Sequence, residues 1–207
     1  MAGVAVRAGY VTRGTAVMRL FFAVLLEDHT KRRVGLMQES MKRTLAGQRI
    51  AWVKEENLHL TLRFLGEQNE QGLQQAIEAG SAVARQYAPF HLVLRGAGVF
   101  PDVRRTRVLW VGVEEPVEPL YHLAQALEQE LRQRGFPLED KPFRSHITLA
   151  RVKEPPPAPV IEKLLASLPT EPLGVVEVRS FALLQSVLHP NGSQYTLVQA
   201  FPLSLKR

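Results

Sequence analysis

The 207-residue sequence predicts an α+β fold made by duplication, with two pseudo-symmetric lobes facing one another across a central groove. Three observations carry that expectation. A short phrase occurs twice, as His59-Leu60-Thr61-Leu62 inside NLHLTLRFLG and as His146-Ile147-Thr148-Leu149 inside RSHITLARVK, 87 residues apart. A second pair of segments, RLFFAVLLE (19–27) and RVLWVGVEE (107–115), matches at an offset of 88. Around both pairs the order of elements is the same: strand, helix, motif strand, helix, strand.

Taken in order, residues 1–17 carry Arg7 and Arg13, no acidic residue and no sustained apolar period, so a flexible extension is expected before Met18. RLFFAVLLE reads as a buried strand, and Val34, Met37, Met41 and Leu45 then recur at helical spacing. The first motif strand ends at Gly66. Leu73, Ala76, Ile77, Gly80, Ala84 and Tyr87 mark a second helix, and FHLVLRGAGVF another strand. PDVRRTR (101–107) is read as the link between a first half, 18–100, and a second, 101–207. The second half restarts with RVLWVGVEE and a helix bearing Leu120, Leu123, Ala124, Leu127 and Leu131. After the second motif strand, a Pro-rich turn leads to a short helix with Ile161, Leu164, Leu165 and Leu168. Two closing strands, VVEVRSFALLQSVL and QYTLVQAFPLSL, flank a Pro190-Asn191-Gly192 hairpin turn.

Composition removes several function classes. A 45% hydrophobic chain of this length buries a substantial core, and with no cysteine it has neither disulfides nor thiolate chemistry. A reducing, cytoplasmic setting fits that absence. No run of 18 apolar residues exists to span a membrane as a helix. The net charge of +6 favours anionic partners, though a basic surface alone is weak support for nucleic-acid binding.

On a strand, residues i and i+2 share a face, so His59 and Thr61 lie together with Leu60 and Leu62 behind them, and His146 and Thr148 repeat the pattern. Two such pairs suit displacement at phosphorus, which needs a base beside the nucleophile and an acid beside the leaving group. An imidazole with a pKa near ~6.5 serves either role, and each such group contributes about 10²–10⁴ in rate. The threonine hydroxyls can donate to the non-bridging oxygens.

The two His-x-Thr-x units, the Met-Arg-Leu-Phe-Phe-Ala-Val opening and His-Ile-Thr-Leu-Ala-Arg resemble the two-histidine (2H) phosphoesterase superfamily, and within it the RNA 2′,3′-cyclic phosphodiesterases, long called 2′-5′ RNA ligases. The resemblance covers roughly residues 18–205. It implies antiparallel sheets lining a concave groove, with helices on the outer side of each. It also implies hydrolysis of a ribose 2′,3′-cyclic phosphate to a 2′-phosphomonoester with neither metal nor cofactor, and a reversible 2′-5′ joining of RNA. Partners would be RNA with cyclic phosphate ends or cyclic nucleotides, handled by a monomer. Carried onto this chain, His59 and His146 form the acid–base pair, Thr61 and Thr148 hold the phosphate, and Arg151 supports it. Ser145 departs from the proline that many relatives carry before the second histidine. His59 is assigned as the acid on the departing 3′ oxygen and His146 as the base on water; the sequence leaves the reverse assignment open.

Blander readings stand beside these. A single strand histidine is usually structural; the repeat is what sets these two apart. Arg151 has opposite parity to His146, so it reaches the groove only past a strand end or a bulge. Arg63 shares the His59 face on an ideal strand and is a groove-rim candidate. His29, His91, His122 and His189 lack partners at useful spacing and are expected to be structural or solvent-facing. Phe64 and Phe143 could stack a base or simply fill the core. Other activities compatible with the motifs are 2′-5′ oligonucleotide or small cyclic-nucleotide hydrolysis. A non-catalytic RNA-binding module is disfavoured, because binding needs no acid–base pair.

Overall fold

The structure, a computed structural model, describes residues 17–114, 117–189 and 192–204. Nearly all of the expected N-terminal extension, and the Pro190-Asn191 step of the hairpin turn, lie outside the described residues. The elements follow the chain as β1 (Met18–Leu25), α1 (Asp28–Thr44), β2 (Ile50–Trp52), a 3₁₀ turn (Glu55–Asn57), β3 (His59–Gln68), α2 (Glu70–Ala84), β4 (Phe90–Phe100) and β5 (Val108–Val113). They continue as α3 (Glu118–Gln133), β6 (His146–Val152), α4 (Ala158–Ala166), β7 (Gly174–Val178), β8 (Ser180–His189) and β9 (Gly192–Pro202).

Local sequence explains each kind of element. In β1 the run from Leu20 to Val24 is buried throughout, as befits a strand covered on both faces between β3 and β8. The helices bury one stripe each: Val34, Met37 and Met41 on α1, and Leu120, Leu123, Leu127 and Leu131 on α3. Helix α2 opens on Asn69, whose side chain accepts the Gly72 N–H at 2.9 Å. Gly80 on the same helix lets Phe201 close in, since a Cβ there would lie 2.7 Å from the ring.

All the strand pairings are antiparallel, in the order β7-β4-β5-β6-β3-β1-β8-β9, with β2 added beside β6. The two lobes, β6-β5-β4-β7 and β3-β1-β8-β9, are joined where Leu60 of β3 faces Ile147 of β6. These lobes are not the sequence halves 18–100 and 101–207. β4 comes from the first half and pairs with β5, while β8 and β9 come from the second half and extend β1. Helices are exchanged in the same sense, with α1 against β7, and α3 against β3 and α2. Residues 101–107 are therefore a hairpin turn within one lobe rather than a link between lobes. Antiparallel neighbours need only such a tight connection, here closed by Asp102 accepting the backbone N–H groups of Arg104 and Arg105. The stretch VVEVRSFALLQSVL likewise divides at Arg179, sending β7 to one lobe and β8 to the other.

Register corrects the repeat by one residue. Ala23 faces Thr61 and Phe22 faces Arg63, so Leu62 is an extra residue; Trp110 faces Thr148 and Leu109 faces Ala150, so Leu149 is its counterpart. Both strand pairs thus carry the same bulge, and the offset is 87 throughout rather than 88 in the flanking strands. The main core lies between sheet and helices, with Phe22, Phe181 and Phe201 packed together inside it. A smaller cluster of Phe21, Ala23, Ala182 and Leu184, backed by Tyr195, covers the opposite face of the first-motif lobe.

Candidate active site

Antiparallel pairing about Leu60 and Ile147 sets His59 alongside Thr148 and Thr61 alongside His146, on the face away from the helices. The four motif side chains expected from the sequence are thus brought together around one strand pair. Each imidazole is anchored in the same way. Nδ1 of His59 bonds the Asn57 carbonyl at 2.7 Å, and Nδ1 of His146 bonds the Arg144 carbonyl at 2.7 Å. A carbonyl can only accept, so each Nδ1 carries the hydrogen and each neutral ring keeps Nε2 as an acceptor. The anchor is a backbone oxygen two residues upstream in both copies, which any residue can supply and which therefore leaves no mark in the sequence.

The surroundings differ. His59 is packed between Phe21, with ring centroids 5.0 Å apart, and Tyr195, edge-on at 5.2 Å. Its Nε2 accepts from the Thr61 hydroxyl at 3.0 Å. His146 meets one ring edge-on, Phe100 at 5.0 Å, and is the less buried of the two. Phe100 stacks on Trp110, whose indole lies against Gly98 and Gly112; a Cβ at Gly98 would fall 2.3 Å from it. Burial lowers both pKa values below the ordinary histidine range, partly offset by each carbonyl bond. The charge of His146 lowers His59 further, as does Lys31; Arg151 and then Arg144 act on His146.

The bulges settle the parity of the neighbouring residues. Leu149 and Ala150 both turn inward, so Arg151 returns to the outer face, exposed and close enough for its charge to act on His146. The equivalent bulge at Leu62 turns Arg63 away from the groove rim where an ideal strand would put it. Arg63 is buried, bonded through Nε to Glu128, through Nη1 to Glu139 at 3.0 Å and to the Phe64 carbonyl, and through Nη2 to the Pro137 carbonyl. Phe64 then takes the outward position and touches Phe21. Of the four remaining histidines, His122 proves to line a cleft, while His29 pairs with Glu27 at the surface.

That cleft, about 880 Å³, lies where β3 and the chain leading into β6 part company, against α3. Thr61 and His146 belong to its wall, so it opens directly from the histidine pair. Tyr195, Arg144 and Asn57 touch the histidines but escape sequence reasoning: Tyr195 lies 136 residues from His59, and the other two make contact through the backbone.

A bilobal antiparallel sheet with a His-x-Thr strand from each lobe defines a phosphoesterase of the two-histidine class. The pattern described as LigT like Phosphoesterase matches residues 24–110 and again 111–195, and the chain belongs to that family. An RNA 2′,3′-cyclic phosphodiesterase of Methanothermobacter thermautotrophicus is 35% identical over 186 residues, 90% of this chain and 99% of its own. One from Thermus thermophilus is 38% identical over 198 residues, 90% of each chain. Among solved structures, a Thermus thermophilus protein superposes with a TM-score of 0.78 at 34% identity, covering 92% of this chain and 100% of its own. Escherichia coli LigT complexed with 3′-AMP gives 0.70 at 27% identity, covering 91% and 99%.

Proposed function

We propose that the chain hydrolyses ribose 2′,3′-cyclic phosphates at RNA ends to 2′-phosphomonoesters, using its two motif histidines as acid and base. The observation that carries this reading is the matched anchoring of His59 and His146 through Nδ1, which leaves the Nε2 of each ring unprotonated on adjoining strands, that of His59 accepting from Thr61. Water gives a proton to Nε2 of neutral His146 as its oxygen attacks phosphorus. The bond to the 3′ oxygen breaks, and that oxygen takes the proton from Nε2 of charged His59. Thr61 and Thr148 donate to the non-bridging oxygens, and Arg151 offsets the charge that grows there. Before substrate enters, the Thr61 hydroxyl is bonded to His59; protonation of that nitrogen frees the hydroxyl for phosphate. The names of the relatives support the substrate class.

The test is incubation of purified protein and EDTA with cyclic-ended RNA, resolving the 2′- from the 3′-phosphate product. Metal-independent formation of the 2′-phosphate is expected. A 3′-phosphate product, or activity abolished by EDTA, overturns the reading.

A further inference from the structure

We propose that the cleft between α3 and residues 137–144 binds the base of the nucleotide whose phosphate reacts, stacked between Phe64 and Tyr121. This rests on the phosphodiester reading of the histidine pair and adds the part of the substrate on which no chemistry occurs. Among the described residues, the two most exposed aromatic side chains, Phe64 at 52% and Tyr121 at 37%, both line this hollow. Tyr121 is braced edge-on by Phe143 at 5.4 Å, and Phe64 by Phe21, which itself touches His59. A large exposed ring costs hydration unless something covers it, and two beside one reaction centre point to a planar ligand.

Charge and size agree with a nucleotide. Lys141 and Arg144 stand at the rim and favour an anion, whereas the wall acids Glu128 and Glu139 are already engaged by Arg63. Aromatic faces beside cations are how single nucleotides are held without reading their sequence. At about 880 Å³ the cleft falls within the range of small-ligand sites, and its wall includes Thr61 and His146, so base and phosphate need no linker. The equivalent hollow on the other half, between α1 and residues 53–55, is only about 320 Å³ and lacks aromatic lining.

Calorimetric titration with adenosine 2′-monophosphate and with ribose 2-phosphate, which lacks the base, isolates the claim from turnover. The nucleotide should bind about 5- to 150-fold more tightly, the range expected for one stacked base. Phe64→Ala and Tyr121→Ala should each erase most of that advantage while leaving ribose 2-phosphate unaffected, and Leu36→Ala in the smaller hollow should change neither. Equal affinity of the two ligands, no binding of either, or variants that weaken both alike would overturn the proposal. Base preference without turnover of cyclic-ended RNA would sink the phosphodiesterase reading and leave the cleft standing. Turnover without base preference would do the reverse.

Discussion

Duplication ought to have made the two flanks of the Leu60–Ile147 pair alike, and they are not. On one flank β2 lies along β6, with Ile50, Ala51 and Trp52 facing Val152, Arg151 and Ala150. Gln38 of α1, buried, locks that flank by donating to the Val53 carbonyl at 2.7 Å and the Leu149 carbonyl at 2.9 Å. On the other flank the segment equivalent to β2, around residues 137–139, does not pair with β3 and is held instead by the Arg63 side chain. Matching the buried stripes of α1 and α3 (Val34 with Leu120, Met37 with Leu123, Met41 with Leu127) puts Ala124 where Gln38 would be. That short side chain lines the cleft and does not fill it as a glutamine would. Symmetry is kept around the two motif histidines and given up beside them, where the cleft lies.

The largest expected effects test the symmetric part. His59→Ala and His146→Ala should each reduce kcat by about 10²–10⁴ despite their different surroundings. A loss confined to one of them, measured on a 2′,3′-cyclic nucleotide, would mean the copies are not functional equals. Next comes the clamp of the open flank. Arg63→Ala strands Glu128 in a largely buried site and should lower unfolding free energy in urea by about 3 kcal/mol. Gln38→Ala on the closed flank removes both side-chain bonds, leaving the Leu149 carbonyl only the Val53 N–H at 2.8 Å, and should cost about 1–3 kcal/mol in the same measurement. An unchanged denaturation midpoint for Gln38→Ala would remove it as the lock. Ala124→Gln, which copies the closed flank onto the open one, should raise KM for a cyclic nucleotide while sparing the denaturation midpoint.

Much of this was legible beforehand, and the gaps have physical causes. The period-2 alternation of the motifs and the apolar stripes of the helices were readable because burial on one face imposes them. A bulge hides inside a hydrophobic run, since Leu62 and Leu149 look like ordinary strand leucines; ideal alternation therefore sends Arg63 to the His59 face and gives Arg151 no route to that of His146. β2 has three residues, too few for any period to show. Gln38 reads as a surface residue on a polar helix until its partners, 15 and 111 residues away, are known. The exchange of strands between lobes leaves no local trace, because β4 looks the same whichever sheet it joins.

The smallest effect distinguishes the two histidines. Both release their protons more readily than an ordinary imidazole, so the protonated acid grows scarce above about pH 6.5 and kcat/KM should peak on the acidic side of that value. Tyr195→Ala lets water reach His59 and should raise its pKa towards the ordinary value, with His146 and Lys31 still opposing its charge. The limb of the bell-shaped profile that reports His59 should then move to higher pH while the other limb stays, and an unmoved profile would contradict burial against Tyr195 as a cause of the lowered value.

The central claim is that one imidazole from each lobe acts on a single phosphorus from opposite sides. Hydrolysis of one diastereomer of a nucleoside 2′,3′-cyclic phosphorothioate in isotopically labelled water reads this directly in the configuration of the product. A single in-line displacement predicts inversion at phosphorus. Retention would require two successive displacements through a covalent intermediate and would contradict the account.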